Sequence, residues 1–281
     1  MSGSSLDIHS LDRYRDHLLQ EERAPATVEK YLRDAGAFAA WLEGRPVSKE
    51  LVHAWKEALI AQGRAPATVN AKLAAVNGLL VLLGAERCQA RYLKLQRRAF
   101  RESARELTRG EYQRLVDAAR RGGQTRLELL LETICATGIR VSELRYITVE
   151  AAGRGRAEVS LKGKVRVVLL PGKLCRKLLK YAQKHKIASG EVFLTRGGGS
   201  LSRKQIWREM KGLCAQAGVE PTKVFPHNLR HLFATAFYQA TRDIVRLADV
   251  LGHSSIDTTR IYLAATGEEH VRQLERLRLI S

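Results

Sequence analysis

The sequence predicts a mainly α protein in two parts: a helical bundle, then an α+β unit with a small antiparallel sheet. Three observations carry this. Apolar residues recur every three or four positions through residues 6–93, that period fails across 96–106, and past residue 155 it gives way to strict alternation. At 281 residues the chain is long enough for about two compact units, each with its own core. The boundaries expected are 1–95 for the bundle, 96–106 for a connector and 107–281 for the second unit.

In the bundle, Val28, Tyr31, Leu32, Ala35, Phe38, Trp41 and Leu42 mark one apolar helical stripe. The hexapeptide R-A-P-A-T-V occurs at 23–28 and again at 64–69, each time opening a helix. Proline ends the preceding chain there, and the hydroxyls of Thr27 and Thr68 are expected to cap the helices that follow. Gly44-Arg45-Pro46 and Gly63 supply turns. The charged run Q-R-R-A-F-R-E-S-A-R-E at 96–106 reads as a linker.

Helicity resumes at Leu107, with Thr108 as cap and Glu111 three residues on in capping-box position. A further helix over 125–137 is expected to end at Gly138. A-E-V-S-L and V-R-V-V-L-L-P, joined by K-G-K, then alternate as two strands around a tight turn. More helices are expected at 173–186, 202–217, 227–240, 243–251, 255–264 and 268–280.

The charge points to a polyanion. Lys and Arg number 48 against 29 Asp and Glu, giving +19, and residues 107–281 hold 31 of the basic and 16 of the acidic side chains. Nucleic acid suits that surplus far better than a small neutral substrate. Cys88, Cys135, Cys175 and Cys214 are widely spaced without a C-x-x-C pair, as expected of reduced thiols in a cytosolic protein. The N-terminus lacks an apolar signal region, and no stretch approaches 18 apolar residues, so neither export nor a membrane span is expected.

Residues 227–262 concentrate the chemistry. H-N-L-R sets His227 and Arg230 one helical turn apart, and L-G-H-S-S-I-D-T-T-R-I-Y brings His253 and Tyr262. Breaking a phosphodiester needs a nucleophile, positive charge at the non-bridging oxygens and a proton for the leaving oxygen. A phenol such as Tyr262 is a weak nucleophile until cations or a base activate it. Arg140 and Arg230 can each donate two hydrogen bonds to a phosphate while staying charged. His227 and His231 lack the glutamate and third ligand of a zinc helix, so no metal is expected.

Four ordered motifs together resemble the tyrosine recombinases of the phage-integrase family: A-T-G-I-R-V-S-E-L-R at 136–145, the strands around K-G-K at 162–164, H-N-L-R-H at 227–231 and L-G-H-S-S-I-D-T-T-R-I-Y at 251–262. The likeness spans nearly the whole chain, the 6–93 bundle resembling that family's SAM-like core DNA-binding domain. It implies site-specific recombination without a cofactor, of the simple two-domain, Xer-like type, with no separate arm-binding domain before residue 6. Tyr262 would form a 3′-phosphotyrosine, Arg140 and Arg230 would clamp the phosphate, and His227 and His253 would support it.

The same likeness makes Lys162 the acid for the departing 5′ oxygen. The turn is shorter than is common in the family, which leaves Lys164 as the alternative. Glu143 matches an acidic residue that orients the site, and His231 a supporting position. For DNA contact, Lys164, Thr27, Thr68, Arg97, Arg98 and Lys177 are the candidates, the last on a helix with Lys173, Arg176, Lys180 and Lys184.

The resemblance further implies paired duplex recombination sites, a Holliday junction and a homotetramer on DNA built from free monomers. The expected place is the nucleoid of a bacterial cell, for a chain of bacterial or phage origin. Val271, Leu274, Leu277 and Ile280 give the C-terminal segment an apolar stripe, expected to dock on a neighbouring protomer or on its own. Integration, excision, inversion and dimer resolution would all use one such site. Two rivals are a type IB topoisomerase that relaxes supercoils and a non-catalytic DNA-binding accessory protein.

Overall fold

The computed structural model describes residue 6, residues 8–95, 105–161, 164–253 and 255–260, and residues 262 and 275. The chain divides into two compact units, Met1–Arg97 and Arg98–Ser281.

The first unit contains α1 (Ile8–Gln20), α2 (Pro25–Leu42), α3 (Lys49–Ala61) and α4 (Pro66–Leu82). The repeated hexapeptide opens α2 and α4, but not by threonine capping. Pro25 and Pro66 each occupy the first helical position, Ala24 and Ala65 precede them, and neither helix has a side-chain cap. Proline fits there because its φ is preset and the missing N–H would have had no helical partner. Thr27 and Thr68 therefore stand inside the first turn, too late to cap.

Phe38, Leu42, Val52, Trp55, Leu59, Val69, Leu73, Val76 and Leu80 form the main core of this unit. Asp34, the one buried carboxylate among the described residues of this unit, joins Lys30 of its own helix (2.8 Å) to Lys72 of α4 (3.1 Å). Two asparagines one heptad apart on α4 hold the departing chain. Asn70 exchanges two hydrogen bonds with the Leu93 backbone (2.8 and 2.9 Å), and Asn77 does the same with Ala90 (2.9 and 3.1 Å).

The second unit opens with α5 (Arg109–Arg121), whose Thr108 hydroxyl accepts from the Glu111 N–H while the Glu111 carboxylate accepts from Thr108 N–H. The capping box read from the sequence is thus formed. There follow α6 (Thr125–Thr137), a 3-10 turn at Val141–Tyr146, α7 (Val149–Arg154), β1 (Arg156–Leu161), β2 (Lys164–Leu169) and α8 (Gly172–Lys184). The remaining helices are α9 (Arg203–Gly212), α10 (Cys214–Ala217), α11 (Pro226–Thr241), α12 (Ile244–Leu251) and α13 (Ile256–Arg260).

The two strands pair antiparallel, Arg156 opposite Leu169 and Leu161 opposite Lys164. Ala157, Val159 and Val168 face the core, while Val165, Val167 and Leu169 face solvent. Lys162 and Gly163, like Arg97, Arg98 and residues 263–274 and 276–281, lie outside the described residues. Among the described residues no helix is long and apolar enough to cross a membrane. All four cysteines are free thiols.

Gly78 gives a test of packing in the bundle. In a helix interior, glycine to alanine ordinarily stabilises by about 0.5–1 kcal/mol. Here the new Cβ would stand 2.5 Å from the Tyr14 hydroxyl, which donates to the Ala75 carbonyl (2.9 Å). Gly78→Ala should therefore lower the melting temperature of the bundle, and a rise would contradict this packing.

Candidate active site

Arg140 owes its place to the end of α6. Gly138 adopts a left-handed conformation (φ 63°) that closes the helix, and a Cβ there would run into the Phe233 ring and Leu251. Only glycine satisfies both demands. Ile139 is then buried, and Arg140 emerges at the head of the 3-10 turn. Glu143, 1% exposed, fixes it twice: one carboxylate oxygen accepts from the Arg140 N–H and the other from its guanidinium, both at 2.9 Å.

Arg230 enters from α11 and is 4% exposed. Its guanidinium donates to the carbonyls of Gly138 and of Leu251 (2.8 Å to the latter), which are the ends of α6 and α12. Burial first, and then Arg140, pull its pKa down to about 10, while the neighbouring Tyr262 hydroxyl favours the charged form. It remains a cation at neutral pH.

His253 follows Gly252, the left-handed end of α12 (φ 63°). Its Nε2 lies 3.0 Å from an Arg230 nitrogen, and its Nδ1 lies 2.8 Å from the hydroxyl of fully buried Thr259. A guanidinium only donates, so Nε2 accepts and Nδ1–H donates to Thr259. Burial, followed by Arg230, Arg140, Arg166 and His227, pushes the His253 pKa down to about 4. His227, more open to solvent, is also held below the ordinary imidazole value, by partial desolvation and by Arg230.

Tyr262, 3% exposed, is ringed by these imidazoles. Ring centroids lie 6.0 Å away for His227, 5.1 Å for His231 and 5.8 Å for the nearly parallel His253. Ala234, Leu247 and Leu251 pack against it. The fold therefore gathers Arg140, His227, Arg230, His253 and Tyr262 from four segments of the second unit. Beside them opens a cavity of about 500 Å³, lined by Arg140, His227 and Arg230 on one part and by Arg203, Lys204 and Trp207 on another. A larger cavity, about 800 Å³, holds Arg126, but Glu209 pairs with that arginine at 2.7 Å. Arg196 also lines that cavity but is exposed, whereas Arg230 is buried among Arg140 and the imidazoles.

Three site residues escaped the sequence reading. Arg166 sits on the inward face of β2 and donates to Glu143 and to the Val250 carbonyl (3.0 Å). Its signal was available, because strict alternation places it on the same side as Val168. Thr259 showed no signal in sequence. Trp207, half exposed on α9 with Lys211 5.3 Å from its ring, breaks that helix's apolar stripe of Ile206 and Met210. Lys177, expected on the exposed basic face of α8, instead turns partly inward and pairs with Glu132 of α6. The adjoining Glu128 and Glu132 draw it there, while Lys173, Arg176, Lys180 and Lys184 stay exposed. The Lys164 side chain lies outside the described structure.

Residues 105–269 match the Phage integrase family, and residues 11–87 match its N-terminal SAM-like domain. The chain belongs to the phage integrase family. It is a tyrosine site-specific recombinase, similar to the tyrosine recombinase XerC of Erythrobacter litoralis (strain HTCC2594), with 31% identity over 87% of this chain and 84% of the relative. Tyrosine recombinase XerD of Bifidobacterium longum (strain NCC 2705) is 29% identical over 87% and 88% of the two chains.

In fold, the recombinase resembles XerH bound to a palindromic difH substrate, with TM-score 0.71, 19% identity and coverage of 100% of this chain and 91% of that one. A lambda integrase tetramer bound to a Holliday junction gives TM-score 0.73 and 20% identity, covering 93% and 78%. These likenesses favour neither the topoisomerase nor the accessory-protein reading. Among the recombinase's described residues, no group of three or more His, Cys, Asp or Glu is arranged to hold a metal ion.

The depressed histidine pKa values fix the sign of a pH effect. Between the ordinary imidazole value of 6.5 and about 4, the unfolded chain protonates His253 and the folded chain does not. Stability therefore rises with pH through that window and is lost as pH falls, with His227 acting in the same sense. His253→Gln should make the decline in melting temperature below pH 6.5 shallower. An equally steep decline would contradict the neutral, buried assignment.

Proposed function

We propose that the pocket around Arg230 is where the recombinase cleaves and rejoins DNA. The observation that carries this is the convergence of Arg140, His227 and Arg230 on one cavity, with the Tyr262 ring packed behind them beside His227. Arg140 and Arg230 grip the non-bridging oxygens of the scissile phosphate. The Tyr262 oxygen attacks phosphorus and the bond to the 5′ oxygen breaks, leaving a 3′-phosphotyrosine. The phenolic proton passes to His227, whose lowered pKa keeps it neutral beforehand. Lys162, or Lys164 in its stead, supplies the proton for the 5′ oxygen. Attack by another 5′ hydroxyl reverses each step and joins a new strand without external energy.

The exposed face of α9, with Arg203, Lys204 and Trp207 bordering the pocket, and the basic face of α8 are the surfaces we assign to DNA. Phosphate contacts there supply affinity that falls with salt. The 1–95 bundle acts as core DNA-binding domain, approaching through the helices that begin near Thr27 and Thr68, with Arg97 and Arg98 in the linker of 96–106 following the backbone. Residues 107–281 form the catalytic domain. Likeness to the tetramer on a Holliday junction supports four protomers exchanging strands between paired sites; we further propose that they assemble on DNA from monomers in the nucleoid.

Nicked duplexes selected from a random-sequence library for covalent capture test the reading. Wild type should yield a protease-sensitive adduct and Tyr262→Phe none. Arg230→Ala should slow adduct formation by about 10²-fold or more, the usual cost of removing a transition-state donor. An equal adduct from Tyr262→Phe, or site-independent plasmid relaxation without recombinants, would overturn the assignment.

A further inference from the structure

Glu143 presents an electrostatic problem. It orients Arg140 through two hydrogen bonds, yet a carboxylate beside a guanidinium cancels the charge that a phosphate needs. Glu143 is buried, so this cancellation is screened less than one between two surface charges, although the Arg140 side chain is 39% exposed. The structure supplies a third arginine at this point. Arg166, its side chain 16% exposed, donates one nitrogen to the Glu143 oxygen that already accepts from the Arg140 N–H (2.5 Å), and another to the Val250 carbonyl (3.0 Å).

The surroundings are shaped to admit Arg166. A Cβ on Gly252 would collide with its Cδ and come within 3.2 Å of its guanidinium, so the glycine ahead of His253 serves two purposes. Its Nε is buried with no hydrogen-bond partner among the described residues, an arrangement that mere packing would not favour. Arg140 in turn lies 3.5 Å from the Gly252 carbonyl. Glu143, Arg166 and the 250–252 turn thus form one chain of contacts behind the clamp.

We propose that Arg166 is a positioning residue that shares Glu143 with Arg140, restoring the positive charge Glu143 would otherwise remove from the phosphate pocket. Three arginine charges against one carboxylate leave two for a phosphate that gains negative charge as the tyrosine attacks. Glu143 can then be used as a rigid anchor for Arg140 without disarming it. The inference rests on the pocket being the site of phosphodiester cleavage.

The test measures single-turnover adduct formation on a nicked duplex selected for capture by this protein. Arg166→Met should be slower by about 10-fold or more at saturating DNA. Arg166→Lys, which keeps the charge, should stay within about 10-fold of wild type. The double variant Arg166→Met with Glu143→Gln should regain several-fold over Arg166→Met alone, because no carboxylate is left to neutralise Arg140. With a methylphosphonate at the scissile position, whose non-bridging charge is gone, the gap between wild type and Arg166→Met should narrow.

A double variant as slow as the single one, or slower, with the gap unchanged on methylphosphonate, would make Arg166 a packing residue and overturn the proposal. Arg166→Lys as slow as Arg166→Met would overturn the charge argument as well. Failure of wild type itself to form the adduct would instead overturn the reading of the pocket as the cleavage site.

Discussion

A buried guanidinium is the fixed point of the second unit. Removing a cation from water costs several kcal/mol unless strong partners replace the lost hydration. Arg230 has those partners in the carbonyls of Gly138 and Leu251, where α6 and α12 end. Helix C-terminal carbonyls lack intrahelical donors and carry partial negative charge, so the same contacts satisfy both sides. Arg140 begins two residues past one of these ends, and His253 two residues past the other. Anchoring Arg230 therefore sets the spacing of the whole pocket.

The electrostatics follow from that anchoring. Burial first, and then the arginines crowded around it, disfavour a proton on His253, which keeps the ring neutral and lets its Nε2 accept from Arg230. Thr259 completes the arrangement by accepting a hydrogen bond from Nδ1–H, so the ring has one tautomer and one orientation. Glu143 and Arg166 then hold the remaining charge in a fixed geometry. On the proposed reading such a site is preorganised: its dipoles and charges are already fixed where phosphate charge would develop, so little reorganisation would be needed as the bond breaks.

Much of this was legible in the sequence because it is local. Helical periodicity, the Thr108–Glu111 box, the helix end at Gly138 and the alternating strands all depend on residues within a turn or two of each other. Arg140, His227, Arg230, His253 and Tyr262 were legible for another reason: their chemical types are few and their motifs ordered. What the sequence concealed is long-range. The Arg166 bond to Val250 spans 84 positions, and that of Arg140 to Gly252 spans 112. The threonine caps expected in the bundle failed locally, because the proline before each threonine suits the first helical position and moves the cap one residue upstream of itself.

The most direct measurement is the structure of the Tyr262→Phe variant bound to its selected DNA. Arg140 and Arg230 should both lie within hydrogen-bond distance of the non-bridging oxygens of one phosphate, with Arg230 still held by the Gly138 carbonyl and the substituted phenyl ring beside that phosphorus. A backbone phosphate seated elsewhere, with Arg230 donating only to protein carbonyls, would contradict a pocket built around that arginine.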